Sequence, residues 1–302
     1  MDSNPFDLED NDNYERWRDL KLQNYPTTIE DLLVEVNDPR ELSSSEFGAL
    51  QQCCSKANMA LYAGKTGSDP DPKIPLSIAH KFGVYGINKN WLADENALTS
   101  LTVRENGIRQ HYIPFTNRSI NWHTDGYYNS QQEQVHSLLL HSVQRAASGG
   151  ENKLLDHEIA YILLRDQAPE HVRTLMRRDA LSIPPRIGEN GELARQTETG
   201  PVFSVMPCGN LHMRYTIRKK HVIWADNKET EAAVSALRKI LAGDSAYIFQ
   251  GLLEPGMGLI GNNVLHTRTA FVDDEDHKRY YYRARYFERL SGTGIEEVYF
   301  KT

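Results

Sequence analysis

Cysteine is nearly absent: the chain of 302 residues has three, two adjacent as Cys53 and Cys54 and the third far away as Cys208. An odd count with that spacing excludes a disulfide framework and predicts reduced thiols in a cytoplasmic protein. No apolar run is long enough to form a membrane-spanning helix. Residues 1–12 are acidic and lack the basic-then-apolar order of a secretory signal. Positive charge is not in surplus either. A net charge of -7 argues against nucleic acid or an anionic membrane surface as a partner. Internal repeats and low-complexity linkers are also missing, which excludes a solenoid or a tethered multidomain chain. What remains is the ordinary composition of a globular protein, 39% hydrophobic and 25% charged, with enough length to bury a sizeable core.

Local patterns predict the elements. Residues 14–22 suit a short helix that docks Tyr14 and Trp17 on the body, and 29–36 an early strand or helical turn. Residues 43–62 suit a longer helix, with serines 43–45 as caps, Glu46 in the first turn and Gly64 as a stop. The stretch 67–75, rich in Pro, Asp and Gly, predicts a loop. Alternation predicts strands over 99–103 and 110–114, and apolar density predicts a buried strand over 135–143. Helices are expected over 156–166, 169–178 and 229–241, and a loop over 183–200. Further strands are expected over 202–206, 211–217, 262–268 and 279–290. Strands on both sides of a helical stretch imply an α+β fold with one β core. In this reading 1–42 form an extension packed on the body, 43–302 form the single domain, and about 156–242 form a helical insert.

Within that frame one stretch stands out: Asn121-Trp122-His123-Thr124-Asp125-Gly126-Tyr127-Tyr128. On an extended segment the two-residue spacing puts His123 and Asp125 on one face, where an imidazole nitrogen and a carboxylate oxygen could share a cation. The alternative is a turn in which Asp125 caps a helix or bends the chain ahead of Gly126. A triad of two histidines and a carboxylate, which leaves positions open on its metal, needs one more histidine. His266 is available, among Val264, Leu265 and Phe271, although a histidine in such company is more often plain core. Asn263, just before it, is either a turn residue or a group that orients His266. Downstream, Arg279-Tyr280-Tyr281-Tyr282-Arg283-Ala284-Arg285 alternates, so a strand would aim Arg279, Tyr281, Arg283 and Arg285 at one face. Guanidinium forks grip carboxylates best in a walled pocket. A solvated basic face is the alternative, and it weighs most for Arg285, nearer the exit of the strand. A metal with open positions beside arginines points to a small anionic molecule, chelating at one end and gripped at the other.

The order His123-x-Asp125, His266, Arg279, Arg283 resembles the Fe(II)- and 2-oxoglutarate-dependent dioxygenases. The branch is that of taurine dioxygenase, 2,4-D dioxygenase, clavaminate synthase and γ-butyrobetaine hydroxylase. The resemblance spans residues 99–290 and rests on Trp122 to Gly126, on Gly149-Gly150-Glu151-Asn152, and on Asn263 to His266 through Arg283. It implies a double-stranded β-helix, or jelly roll, with flanking helices. It implies His123, Asp125 and His266 as iron ligands and Arg279 as the grip on the distal carboxylate of 2-oxoglutarate. Arg283 would face the co-substrate or the substrate. One departure is visible: where the family often has a threonine sharing that carboxylate, this chain has Asn152, whose amide can also donate, although ordinary turn chemistry explains it equally.

The activity so implied consumes O2 and 2-oxoglutarate, releases succinate and CO2, and oxidises an unactivated C–H bond. Hydroxylation is the default, with desaturation or cyclisation in relatives. Asp125 in the carboxylate position argues against the halogenating variant. Arg214, Tyr215, Trp122 and Tyr127 are the candidate substrate-binding residues, pointing to a small polar or carboxylate-bearing molecule. The family allows a homo-oligomer, for which the N-terminal helices could supply an interface. Two rivals stand beside this reading. One is a zinc hydrolase on the same triad, which leaves the arginine strand without a role. The other is a non-catalytic jelly-roll module that binds a ligand or partner.

Overall fold

The apolar run before the Gly-Gly turn becomes the strand Ser137–Gln144, near the centre of a six-stranded sheet in the computed structural model, which describes residues 4–88, 98–188, 191–218 and 222–300. The strand order is Leu33–Val36, Met59–Gly64, Met257–Gly261, Ser137–Gln144, Tyr280–Tyr286, Thr99–Leu101. Only the first pair is parallel; the others are antiparallel. Successive side chains along these strands divide between two cores. Leu138, Leu140, Leu259 and Tyr281 join one, while Leu139, Val143, Ile260, Tyr282 and Ala284 join the other. A sheet buried on both faces needs apolar residues at consecutive positions, and this is why 138–140 reads as an unbroken run.

One face is covered by helices Ser44–Ala57 and Lys73–Lys81, which supply Leu50, Cys54, Ile78 and Ala79. The other core is shared with a four-stranded antiparallel sheet in the order Phe249–Gly251, Asn152–Leu155, Leu265–Arg268, Ile120–His123. Leu154, Leu155, Phe249 and Leu265 are its contribution. The strands Asn152–Leu155 and Phe249–Gly251 pair directly although the helices His157–Gln167, Pro169–Leu175 and Lys228–Ala242 lie between them in the chain. The N-terminal helix Asn11–Leu22 buries Tyr14, Trp17 and Lys21. The Lys21 ammonium lies 2.8 Å from Asp156 and 2.6 Å from Glu158, with all three side chains almost wholly buried. Burial opposes that charge, but the two carboxylates outweigh it.

Several expectations shift. The helix begun at Ser44 ends at Ala57, because Asn58 takes a left-handed conformation as its C-cap (φ 57°) and the chain then enters the strand Met59–Gly64. Alternate residues of that strand reach different cores, which a helical reading of 58–62 could not provide. The segment 110–114 is not a strand but two short 3-10 turns, Ile108–His111 and Ile113–Phe115, the second with a proline in its first turn. The loop expected over 67–75 gives way to a helix at Lys73, and 183–200 contains the short strands Arg186–Ile187, Leu193–Arg195 and Glu198–Gly200. Among the described residues no helix is long and apolar enough to cross a membrane.

The core also stores protonation energy. His141, wholly buried on the helix-covered face with Nδ1 3.0 Å from the Tyr62 hydroxyl, is pushed down to about 4 by burial. His157 and His212, buried elsewhere, are shifted the same way for the same reason. The unfolded chain takes up these protons near 6.5, the folded chain only at lower pH. Acid therefore favours the unfolded state, and the stability due to neutral His141 is lost as pH falls through that window. The melting temperature should hold steady above pH 7 and drop between pH 6.5 and 4, with His141 alone responsible for on the order of 3 kcal/mol. His141→Gln should flatten part of that slope in a pH series of thermal melts; an unchanged slope would remove His141 from the account.

Candidate metal centre and its cavity

Two strands of the smaller sheet bring the histidines together. In the antiparallel register His266 is the direct partner of His123, and their ring centroids lie 4.2 Å apart. Each ring is fixed by its own strand: Nδ1 of His123 lies 2.9 Å from the Asn121 carbonyl, and Nδ1 of His266 lies 3.0 Å from the Val264 carbonyl. A carbonyl only accepts, so Nδ1 carries the proton and Nε2 keeps its lone pair. The carboxylate completes the set. His123 Nε2 is 3.9 Å from Asp125 Oδ1, and the ligand atoms of His123, Asp125 and His266 all lie within 4.8 Å of one another. Among the described residues no other group of three or more His, Cys, Asp or Glu side chains converges in this way.

The donors suit a divalent metal ion. Asp125 Oδ2 is buried without a hydrogen-bond partner, where buried carboxylate oxygens normally have one. Burial, assisted by the neighbouring His266, pushes His123 down to about 3, and burial likewise lowers His266. For Asp125 burial acts upward, but Arg283 and Arg285 outweigh it and hold the carboxyl below its usual range. Two neutral imidazoles and one carboxylate are the protonation states that metal binding requires. They crowd one side of the ion and leave other positions open.

Asp125 lies beyond the end of the strand Ile120–His123 and needs other support. Asn263, itself in the left-handed region (φ 51°), provides it. The Asp125 N–H donates to Asn263 Oδ1 at 2.8 Å, and Asn263 Nδ2 donates to the carbonyls of Asp125 (2.9 Å) and Val135 (2.7 Å). On the other side, the Thr124 N–H donates to the Tyr215 carbonyl at 3.0 Å and Thr124 Oγ1 accepts from the Tyr215 N–H at 3.1 Å. Gly126 follows with φ 68°, in a turn closed by the Asn129 N–H on the Gly126 carbonyl at 2.8 Å. Asn263 thus clamps the backbone of the carboxylate ligand; the sequence alone allows either a turn residue or a group that orients His266, and its left-handed φ is that of a turn residue.

His123 and His266 open into a cavity enclosing about 370 Å³ of atom-free space, its mouth included. Leu101, Pro114 and Leu140 supply apolar wall; Asn152, Arg268, Arg279 and Arg283 supply polar groups. Arg279 is buried with its guanidinium 3.7 Å from the centre of the Tyr281 ring, and its main-chain N–H is anchored on Asp273 at 2.9 Å. Arg283 Nη1 donates to Asp125 Oδ1 at 3.3 Å. Asn152 donates to the Thr267 carbonyl at 2.7 Å, while its Oδ1 is buried without a partner. Gly149 (φ 73°) packs so tightly on Ala270 that a Cβ would collide with the Ala270 carbonyl, which explains the glycine before this turn.

Other expected residues fall outside the cavity lining. Trp122, one residue from His123, points the opposite way into the core and donates from Nε1 to the Leu241 carbonyl at 2.8 Å. Arg214 is buried, with Nη2 on the carbonyls of Leu181 (2.7 Å) and Gly200 (3.2 Å). The Tyr215 ring is fully buried in the same core as Trp122, and Tyr127 lies against its edge, 5.2 Å from the Tyr128 ring. Two arginines were under-read. Arg268 lines the cavity and donates to the Thr116 and Arg118 carbonyls, both at 2.6 Å, holding the preceding loop in place. Its position two residues after His266 on a strand was the available signal. Arg285 is buried, not solvated, as its alternation with Arg283 had allowed.

The family model described as "Taurine catabolism dioxygenase TauD, TfdA family" matches residues 22–285. A uridine-5'-phosphate dioxygenase of an Amycolatopsis species is 28% identical over 291 aligned residues, covering 86% of this chain and 98% of that protein. Among solved structures, AAD-2 in complex with Mn(II) and N-oxalylglycine has a TM-score of 0.58 at 14% identity, covering 86% of this chain and 97% of that one. An asparagine oxygenase in complex with Fe(II), 3-hydroxyasparagine and succinate has a TM-score of 0.54 at 14% identity, covering 95% and 92%.

The Asn263 clamp is testable. Asn263→Ala removes three hydrogen bonds and a residue tolerant of positive φ, so it should cost about 2–4 kcal/mol of stability. It should also weaken metal binding by about 10- to 100-fold. Isothermal titration with Fe(II) under anaerobic conditions, beside a thermal melt, measures both; wild-type metal affinity in the variant would reject the clamp.

Proposed function

We propose a function from one premise: the chain belongs to the TauD/TfdA family and is a dioxygenase that uses Fe(II), 2-oxoglutarate and dioxygen. On that premise it hydroxylates an unactivated C–H bond of a small, acid-bearing molecule and releases succinate and CO2. The observation that carries this reading is convergence. Three metal-ligand side chains meet within 4.8 Å, and two of them line a cavity together with the buried Arg279.

In this assignment Nε2 of His123, Nε2 of His266 and the Asp125 carboxylate would hold the iron. Bound there with 2-oxoglutarate, the metal supplies the activation of dioxygen. The remaining work belongs to the chain. Arg279, oriented by the face of Tyr281, would grip the distal carboxylate, which a planar fork does better than an ammonium. Asn152 would assist through the amide N–H that the Thr267 carbonyl leaves free. Arg283 holds Asp125 ionised and presents charge to the cavity. Leu101, Pro114 and Leu140 exclude water from the reacting centre.

The two sheets that share a core support reading the fold as the double-stranded β-helix, with 43–302 as the catalytic domain, 1–42 packed on it and 156–242 as an insert. The burial of Trp122, Arg214 and Tyr215 supports scaffold roles for them. One relative is named for a nucleotide, and another neighbour holds a hydroxylated amino acid. Small size and an acid group are what the two compounds share, and they are what a cavity walled by arginines would select.

Fe(II) added anaerobically with 2-oxoglutarate should give a weak visible absorption band, lost in His266→Ala and Asp125→Ala. Arg279→Leu should raise the KM for 2-oxoglutarate by about 10- to 100-fold, the worth of a charge-assisted pair. Persistence of the band in His266→Ala, or an unaltered KM in Arg279→Leu, would overturn the assignment of that residue.

A further inference from the structure

We infer that Lys21, on the N-terminal helix, is a positioning residue for the metal centre: it steadies Asp125 through a buried chain of side chains that runs by way of Asp156, Asn58 and Asn262 to Asn263. The inference rests on the proposed reading of the triad as a metal site and gives the N-terminal extension a part in it. It starts from a cluster for which the proposed reaction has no use. Lys21, Asp156 and Glu158 have almost no exposure. Burying such charges is costly, and a buried ion pair often returns little net stability; what it can supply is a fixed geometry. Asp156 uses both carboxylate oxygens. Oδ2 is met by the Lys21 ammonium at 2.8 Å and accepts from the Tyr25 hydroxyl at 3.3 Å, both groups of the N-terminal extension. Oδ1 accepts from the Glu158 N–H at 2.8 Å and from Asn58 Nδ2 at 2.9 Å. Lys21 thus sets the orientation of the carboxylate, and the carboxylate sets the Asn58 amide.

From Asn58 the chain of contacts crosses to the corner between the two sheets. Asn262 and Asn263 follow the strand Met257–Gly261 and lead, through Val264, into the strand that carries His266. Asn58 grips Asn262 twice: its carbonyl accepts from the Asn262 N–H at 2.7 Å, and its Oδ1 accepts from Asn262 Nδ2 at 3.0 Å. The approach is so close that a Cβ on Gly261 would lie 2.8 Å from the Asn58 carbonyl oxygen. Asn262 Nδ2 also donates to Thr293 Oγ1 at 3.0 Å, and its Oδ1 accepts from the Leu290 N–H at 3.1 Å. With Asn262 held in this way, Asn263 carries the grip to the backbone of Asp125 on its other side. Lys21, Asp156, Asn58, Asn262 and Asn263 are all buried, so water does not replace a partner that is lost.

Anaerobic isothermal titration of the full chain with Fe(II), at a temperature where a thermal melt shows each variant folded, tests the inference. Lys21→Met takes the ammonium from Asp156. Asn58→Gly keeps the left-handed cap and the pair of Lys21 with Asp156, and removes only the amide between Asp156 and Asn262. Trp17→Leu loosens the same helix without touching these bonds. The first two should each weaken Fe(II) binding by about 3- to 30-fold. Trp17→Leu should lower the melting temperature and leave Fe(II) affinity within about twofold of wild type. If Lys21→Met does not fold, Lys21→Met combined with Glu158→Gln takes its place, because it removes one charge of each sign and leaves Arg289 near Asp156. Wild-type Fe(II) affinity in the Lys21 variant or in Asn58→Gly, or an equal loss in Trp17→Leu, overturns this inference alone. Wild-type chain that binds no Fe(II) instead fails the metal reading on which it rests.

Discussion

The pairing of Leu265–Arg268 against Ile120–His123 places one imidazole opposite the other, and the chemistry of the cavity depends on that register. A strand alternates faces with a period of two, so a slip by one residue would send His266 into the core and Leu265 into the cavity. The apolar partners guard against it. Leu265 is buried beside Leu154 and Leu155, and Trp122 anchors the facing strand through its indole N–H on Leu241. The hydrophobic pattern that builds the smaller sheet is thus the device that aims the two histidines. Trp122 serves the site without entering it, because the same alternation that turns His123 outward turns its neighbour inward.

The third ligand obeys a different logic. Asp125 lies past the end of its strand, on a turn that needs positive φ at Gly126. A turn alone would leave a carboxylate free to rotate toward solvent. Here Asn263 accepts from its N–H and donates to its carbonyl, while Arg283 donates to its side chain. Rigid strands supply two donors and a side-chain amide supplies the rigidity of the third. Asn263 lies two residues before the strand that carries His266, so one short segment positions ligands on both sides of the site.

Much of this was legible in the sequence, for reasons that can be stated. Ser43 with Glu46 forms a capping box, a signal that acts over a few residues. The His123-x-Asp125 spacing and the alternating arginines are local too. The failures are non-local. Residues 58–62 look helical until Met257–Gly261, some two hundred residues later, pairs with them. The strand Phe249–Gly251 is three residues long and exists because Asn152–Leu155 is beside it. For Arg285 the solvated alternative stayed open because nothing near it in the chain shows that Tyr128 will lie against it.

Arginine is the residue on which composition misleads most, since this chain uses it in two opposite ways. Arg214 and Arg268 are buried with their η-nitrogens on main-chain carbonyls: Arg214 joins the strands Leu181–Ile183 and Glu198–Gly200, and Arg268 holds the segment 114–118. Burial lowers Arg214 to about 10, and burial with two neighbouring guanidiniums lowers Arg268 to about 9, yet both stay charged at neutral pH. Arg283 and Arg285 instead share one carboxylate, and Arg285 keeps a buried η-nitrogen without a partner. Donors spent on main-chain carbonyls fix the segments that bear them, whereas Arg283 spends a donor on the carboxylate of the metal set. The distinction between the two sets follows from hydrogen-bond partners that no count of basic residues contains.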